Sequence, residues 1–160
     1  MVLALLTPVP CCHLGSALHP KKGFKPEERV AFASNAIDVF LQDGQSALPM
    51  GLTVLIYASK PEFGDEANLF KGPAVGVRAR YIQWQPADSR TGQHPDKTVR
   101  PLSTETDGPV FGFWEVTDLR KMPLARPLSL LHYWGNHKKV EDNPRKPRLV
   151  DMPDDFLPLN

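Results

Sequence analysis

Aromatic and cationic side chains of the kind that hold nucleic acids are interleaved along this sequence. Aromatic rings stack on bases, and arginine or lysine side chains contact phosphates or base edges. The candidates for base stacking are Tyr57, Trp84, Trp114 and Trp134. The candidates for phosphate or base contacts are Arg78, Arg80, Arg126, Lys138, Lys139 and Arg145. These residues predict a surface for RNA or DNA, and the competing interpretation is that the rings pack in the core.

Histidines and cysteines offer little support for other chemistry. The five histidines show no H-x-x-x-H spacing and no carboxylate at ligand spacing, so we expect neither a bound metal nor a cofactor. Cys11 and Cys12 are adjacent, which disfavours a structural disulfide because the ring that would close is strained. The cysteine pattern therefore predicts a reduced, cytoplasmic protein.

The overall charge restricts the class of nucleic-acid binder. Lysine and arginine total 19 and aspartate and glutamate total 18, so the formal net charge is +1. A histone-like or tail-type binder has a much stronger field, and any phosphate contact here must come from a local patch. The 160 residues predict one domain over 1–160. The apolar start, Val2 to Leu6, is too short for a membrane span, so we expect a buried strand there and no membrane contact.

The pattern of hydrophobic residues predicts a strand-rich fold. Seventeen prolines argue against a helical bundle, because proline is excluded from helix interiors. Helical spacing of Val30, Ala33, Ile37, Phe40 and Leu41 predicts one long helix over 26–42, and a short helix is expected from 126. Strands are predicted over 2–9, 53–59, 72–84, 109–117 and 149–150, and long loops over 85–107 and 136–148. A glycine inside two strands indicates bending, so we expect an α+β fold: a small, mostly antiparallel β-barrel with flanking helices.

Several short motifs follow one another in a recognisable order. They are LTVLIYASK over 52–60, GPAVGVRAR over 72–80, FWEVT over 113–117, ARPLSLL over 125–131 and PRLV over 147–150. Together they resemble the PUA-like superfamily of small β-barrels, and most of all its EVE and ASCH branches. The resemblance implies a cleft between barrel and helices that binds RNA or DNA, often through one extruded or modified base. We expect the ring of Tyr57 or Trp114 to line that cleft.

The resemblance also leaves a second function open. In ASCH-like relatives a lysine after this strand takes part in hydrolysing acylated cytidine, with a hydroxyl and a carboxylate nearby. The matching residues are Lys60, Ser59 and Glu115, which would make the protein a small hydrolase of a modified nucleoside or RNA. A third alternative is a partner-binding domain that does not contact nucleic acid.

Overall fold

Strands make up most of the regular structure. The computed structural model describes residues 1–59, 74–105, 107–140 and 144–158. Its strands are β1 (Val2–Pro10), β2 (Val30–Ser34), β3 (Leu41–Gln42), β4 (Gln45–Ser46), β5 (Thr53–Ser59), β6 (Ala74–Pro86), β7 (Gly112–Pro127), β8 (His132–Tyr133) and β9 (Arg148–Met152). The helices are α1 (Cys11–Ala17) and three 3-10 turns, Lys97–Val99, Leu102–Thr104 and Leu128–Leu130. Among the helices of these ranges, none has the length and apolar character needed to span a membrane.

Seven strands form one open, mixed sheet, and the predicted closed barrel is wrong. The strand order is β2-β7-β6-β5-β1-β9-β8. β1 pairs in parallel with β5, and the other neighbouring strands are antiparallel. Closing a barrel requires the two edge strands to pair. In the described part of the chain no ladder joins β2 to β8, and β8 offers only the two residues His132–Tyr133.

The helix predicted over 26–42 is also wrong. Val30–Ser34 is strand β2, which pairs antiparallel with β7. Val30, Ala31 and Phe32 are all buried, so this short apolar run lies in the core as a strand, and its pairing with β7 overrides the helical spacing. Ile37, predicted on the buried helix face, is 39% exposed.

The end predicted for that helix is a β-hairpin. Asp43 and Gly44 have positive φ values of 53° and 77°, and they connect β3 to β4. Asp-Gly between two short strands is a strong signal for a two-residue hairpin turn, since both central residues need positive φ. Gly44 therefore serves a hairpin turn and does not end a helix.

The sheet buries a hydrophobic cluster on each face. In β5, Val54 and Ile56 belong to one cluster, while Leu55 and Tyr57 belong to the other. A central strand covered on both faces is a nearly continuous apolar run, as the sequence TVLIYAS of 53–59 predicts. The first cluster includes Trp114, so Tyr57 and Trp114 lie on different faces of the sheet.

Strand β7 is longer than its sequence pattern indicates, whereas β6 is as long as the strand predicted over 72–84 and is displaced by two residues. β7 continues to Pro127, so the helix expected from 126 is reduced to the 3-10 turn Leu128–Leu130. The ladder between β6 and β7 shifts register between Val75 and Val77, and again twice further along β6. Such bulges bend and twist a strand pair. This curvature brings β2 and β7 close to the ends of β1 and β5, where one cavity is lined by residues from all four strands.

Candidate functional site

A cavity of about 360 Å³ opens where the ends of four strands meet the segment before β9. We call it the Trp114 cleft. Its lining residues are Thr7, Pro8, Pro10, Ala33, Ser34, Asn35, Ala36, Ser59, Trp114, Arg145, Lys146 and Pro147. Sites for small ligands, or for part of a larger one, usually have volumes of about 300–1,000 Å³. The Trp114 cleft lies near the lower end of that range.

Trp114 forms part of the wall of this cleft. It pairs with Phe32 in the ladder between β2 and β7, and the two rings lie 4.8 Å apart with planes tilted by 33°. The side chain is only 1% exposed. The ring is therefore fixed in the core and borders the cleft without presenting a free face for stacking. Of the two rings expected to line a cleft, Tyr57 and Trp114, Trp114 borders this one. Its buried ring does not serve there as a stacking surface.

Ser59 reaches the cleft because of the parallel pairing of β1 with β5. It stands opposite Pro10 at the carboxyl ends of both strands. Side chains at the carboxyl ends of neighbouring parallel strands gather at one edge of the sheet, which is a common place for a binding site. Lys60, predicted beside Ser59, lies outside the described residues.

A second cavity of about 320 Å³ adjoins the first, and we call it the Trp134 cavity. Its lining residues are Ala36, Asp38, Val39, Trp134, Lys146, Pro147, Arg148 and Leu149. Ala36, Lys146 and Pro147 line both cavities, so the two form a continuous depression. Trp134 is 54% exposed, in contrast to the buried Trp114.

The cations beside the two cavities come from one short segment of the chain. Arg145 and Lys146 are exposed and lie in the Trp114 cleft, and Arg148 follows in the Trp134 cavity. The guanidinium carbon of Arg148 lies 4.2 Å from the centre of the Tyr133 ring, which orients that side chain. Arg145 belongs to a basic run with Lys146 and Arg148 that the sequence marks as a candidate for phosphate contact, whereas no motif predicts that Asn35 borders the same cleft.

Tyr57 and Trp84, the other predicted stacking residues, are packed in the interior. Tyr57 is 2% exposed, and its hydroxyl has no hydrogen-bond partner within the described ranges. Burial, with a smaller contribution from Tyr133, raises the pKa of Tyr57 above its usual range. Trp84 is 9% exposed and stacks on Phe40 at a centroid distance of 5.0 Å. Both rings therefore contribute to core packing, as buried aromatic residues usually do.

Most of the cations predicted to contact phosphates do not line the Trp114 cleft. Arg80 stands opposite Thr53, at the other end of β5 from Ser59, and its Nε lies 3.8 Å from Asp118. Arg78 is only two residues further along the same strand. The guanidinium of Arg126 lies over the Phe156 ring at 5.5 Å. Lys138 and Lys139 lie in the segment that follows β8. Both are exposed, and neither lines the Trp114 cleft or the Trp134 cavity.

Glu115 belongs to a separate, buried cluster on the face of β7 opposite Trp114. The carboxylate is 1% exposed; its Oε2 lies 2.6 Å from His94 Nε2, and its Oε1 accepts a hydrogen bond from Gln83 at 3.1 Å. Arg29 Nε lies 3.5 Å from the same Oε1. The residue after a strand position points to the opposite face. Glu115 and Ser59 are therefore not brought together as the hydrolase alternative requires.

The hydrogen bonds of His94 define its protonation state. The backbone N–H of Asp96 donates to His94 Nδ1 at 2.9 Å, so Nδ1 carries no proton. The proton must then be on Nε2, which donates to Glu115. Both ring nitrogens are occupied, and His94 joins the segment before β7 to the sheet. Nothing in the sequence marks His94 and Glu115 as partners, because they are separated by a segment whose path could not be predicted.

A third cavity, of about 490 Å³, lies beside His94. Its lining residues are Gln93, His94, Lys97, Arg100, Pro101, Leu102, Thr104 and Glu105. Arg100 donates to the carbonyl of Ala31 at 2.7 Å, lies 3.5 Å from Asp107 and packs over the Phe113 ring. Burial lowers the pKa of Arg100, and Asp107 opposes that effect. Through these contacts Arg100 holds the segment between β6 and β7 against the sheet.

Comparison with known proteins identifies no relative. No family model, no curated protein and no solved structure matches this chain. Within the described residues, no group of three or more histidine, cysteine or acidic side chains is arranged as a metal site.

Proposed function

We propose that the protein binds nucleic acid and that one unpaired base enters the Trp114 cleft. The single observation that carries the proposal is the cleft itself, in which a hydroxyl, an amide and two cations meet at one cavity: Ser59, Asn35, Arg145 and Lys146. Base recognition needs a few hydrogen-bonding groups at the base edge and cations for the backbone. The cleft contains both kinds of group.

The charges around the cleft suit a polyanion even though the whole chain is nearly neutral. Arg145, Lys146 and Arg148 lie within four consecutive residues and border the two cavities, whose only carboxylate among the described lining residues is Asp38. A local cationic patch of this kind supplies the salt-dependent part of binding. The resemblance to PUA-like proteins favours the same function. A cytoplasmic location is part of this proposal and rests on the cysteine pattern.

Salt dependence of binding tests the proposal. Labelled single-stranded RNA, single-stranded DNA and duplex of equal length are titrated at two salt concentrations. We expect binding that weakens with salt and is stronger for single strands, because the cleft takes a base only when it is unpaired. Arg145→Ala combined with Lys146→Ala should weaken binding and reduce the slope of log affinity against log salt by about 1.4–1.8, since two phosphate contacts are lost.

A matched cation at the far end of β5 provides the control. Arg80→Ala removes an exposed arginine that does not border the cleft, and it should leave the affinity and the salt slope close to those of the unaltered protein. An equal effect of Arg80→Ala would place the contact surface elsewhere. No binding of any of the three probes at low salt would refute the proposed function and favour a domain that binds another kind of partner.

A further inference from the structure

Trp134 is the one tryptophan of this chain that presents its ring to solvent. It is 54% exposed, whereas Trp84 and Trp114 are buried. A large exposed aromatic ring beside a cavity is informative, because burying it against a ligand is favourable. Trp134 borders the Trp134 cavity, next to the Trp114 cleft.

The backbone holds Trp134 in place although its side chain is exposed. The Trp134 N–H donates to the carbonyl of Leu149 at 3.0 Å, and the His137 N–H donates to the carbonyl of Tyr133 at 3.0 Å. Gly135, with φ of 97°, forms the turn between these two bonds. The ring therefore sits on a fixed turn and needs little ordering when it binds a ligand, which lowers the entropic cost of binding.

We infer that the Trp134 cavity holds the nucleotide adjacent to the one in the Trp114 cleft, so that the protein binds a single-stranded stretch of at least two nucleotides. Lys146 borders both cavities and is placed to contact the phosphate between the two nucleotides. Trp134 provides the stacking surface for the second base, and stacking accepts any base because each has a π face. This inference rests on the proposed function and adds to it the length and strandedness of the ligand.

Asp38 gives the second position a chemical preference. Its carboxylate lines the Trp134 cavity and can only accept hydrogen bonds when it is ionised. The amino groups of adenine, cytosine and guanine are donors, whereas uracil and thymine lack an amino group. Uracil and thymine offer one N3–H donor, whereas guanine offers N1–H and its amino group side by side, so the second nucleotide should favour guanine over uracil or thymine.

The test compares Trp134→Ala with the unaltered protein. The probes are a labelled eight-nucleotide single strand, its duplex, and a nucleoside monophosphate as the one-nucleotide ligand. Trp134→Ala should weaken the single strand by about 5- to 150-fold, the range for the loss of one base–aromatic stack, and should leave binding of the monophosphate unchanged. Leu124→Ala, which truncates an apolar side chain on β7 that is 71% exposed, is the control and should have no effect.

The intrinsic fluorescence of Trp134 gives a second measurement. Binding of the single strand should quench the tryptophan emission of the unaltered protein, and Trp134→Phe should remove that quenching while retaining affinity. Eight-nucleotide strands that differ only in carrying guanine or uracil at one position then test the role of Asp38, and Asp38→Asn should reduce the preference for guanine.

The outcomes separate this inference from the proposed function. If Trp134→Ala binds the single strand as tightly as the unaltered protein while the double change at Arg145 and Lys146 weakens it, the second position is refuted and the proposed function stands. If the single strand and the duplex bind equally well, the inference is likewise refuted. Failure of every probe to bind refutes the proposed function itself.

Discussion

Gly112 provides a sharp test of how the first core cluster is packed. A methyl group added at Gly112 would lie 2.3 Å from Cζ2 and 2.7 Å from Cε2 of Trp84. Carbon atoms in favourable contact are about 3.5–4.0 Å apart, so the indole would have to retreat by roughly 1 Å or more. It cannot do so freely, because Trp84 is stacked on Phe40 on its other side.

The change Gly112→Ala should lower the free energy of unfolding by about 1–2 kcal/mol. Overpacking a core typically costs about 1–3 kcal/mol. Part of that loss is offset, because replacing glycine by alanine restricts the unfolded chain and is worth roughly 0.4–1 kcal/mol. Urea-induced unfolding, followed by circular dichroism, measures the difference. The midpoint should fall while the denaturant slope stays constant.

Two comparisons isolate the clash from other effects of a methyl group. Gly108→Ala is the matched control, because its methyl group would have no atom within 4 Å, and it should cause no loss of stability. Trp84→Leu removes the ring that is displaced. Combining it with Gly112→Ala should give a double variant that is less destabilised than the sum of the single changes, with a coupling energy above about 0.5 kcal/mol. If Gly112→Ala unfolds at the same midpoint as the unaltered protein, Trp84 is not packed against β7 as described.

Two further predictions concern buried polar groups. His94→Ala should lower the free energy of unfolding by about 1.5–3 kcal/mol, measured by urea unfolding, because the buried Glu115 carboxylate loses the hydrogen bond from the neutral imidazole and keeps only Gln83 and Arg29; a loss below about 0.5 kcal/mol would contradict the buried pairing. Burial, with a smaller contribution from Glu115, raises the pKa of Tyr81 to about 12. Because the unfolded tyrosine releases its proton near pH 10 and the folded one does not, stability should hold up to about pH 10 and fall towards pH 12. Tyr81→Phe should reduce that fall, and equal slopes for both proteins would refute the assignment.

The sequence predicted the strands that are buried on both faces better than the edges of the sheet. The run over 53–59 is apolar except at its two ends, which predicts a strand buried on both faces. It is the central strand β5. Val30–Ser34 is compatible with both helical spacing and strand alternation, and only pairing with β7 decides between them. The Asp43-Gly44 pair is a hairpin signal in the sequence, but it directly follows the predicted helix over 26–42, and glycine after a helical pattern is also a common helix end.

The candidate site was predictable only in part for a related reason. Ser59 and Trp114 were singled out from their places on strands, and the structure brings both to one cleft. Arg80 is a cation on a predicted strand and so a candidate for phosphate contact, but register places it at the opposite end of β5. Register and curvature depend on long-range pairing, which a single sequence does not encode locally. Asn35 and Lys146 lie in irregular segments that carry no periodic signal.

The position of β1 inside the sheet affects how the chain is synthesised. β1 lies between β5 and β9, so its second edge is covered only by Arg148–Met152 near the far end of the chain. During translation the apolar strand Val2–Pro10 is made well before β9, and this edge stays open until the residues between the two strands have been synthesised. Such late, long-range pairing slows folding and exposes a template for aggregation. We therefore expect nascent chains that stop before β9 to need a chaperone to remain in solution.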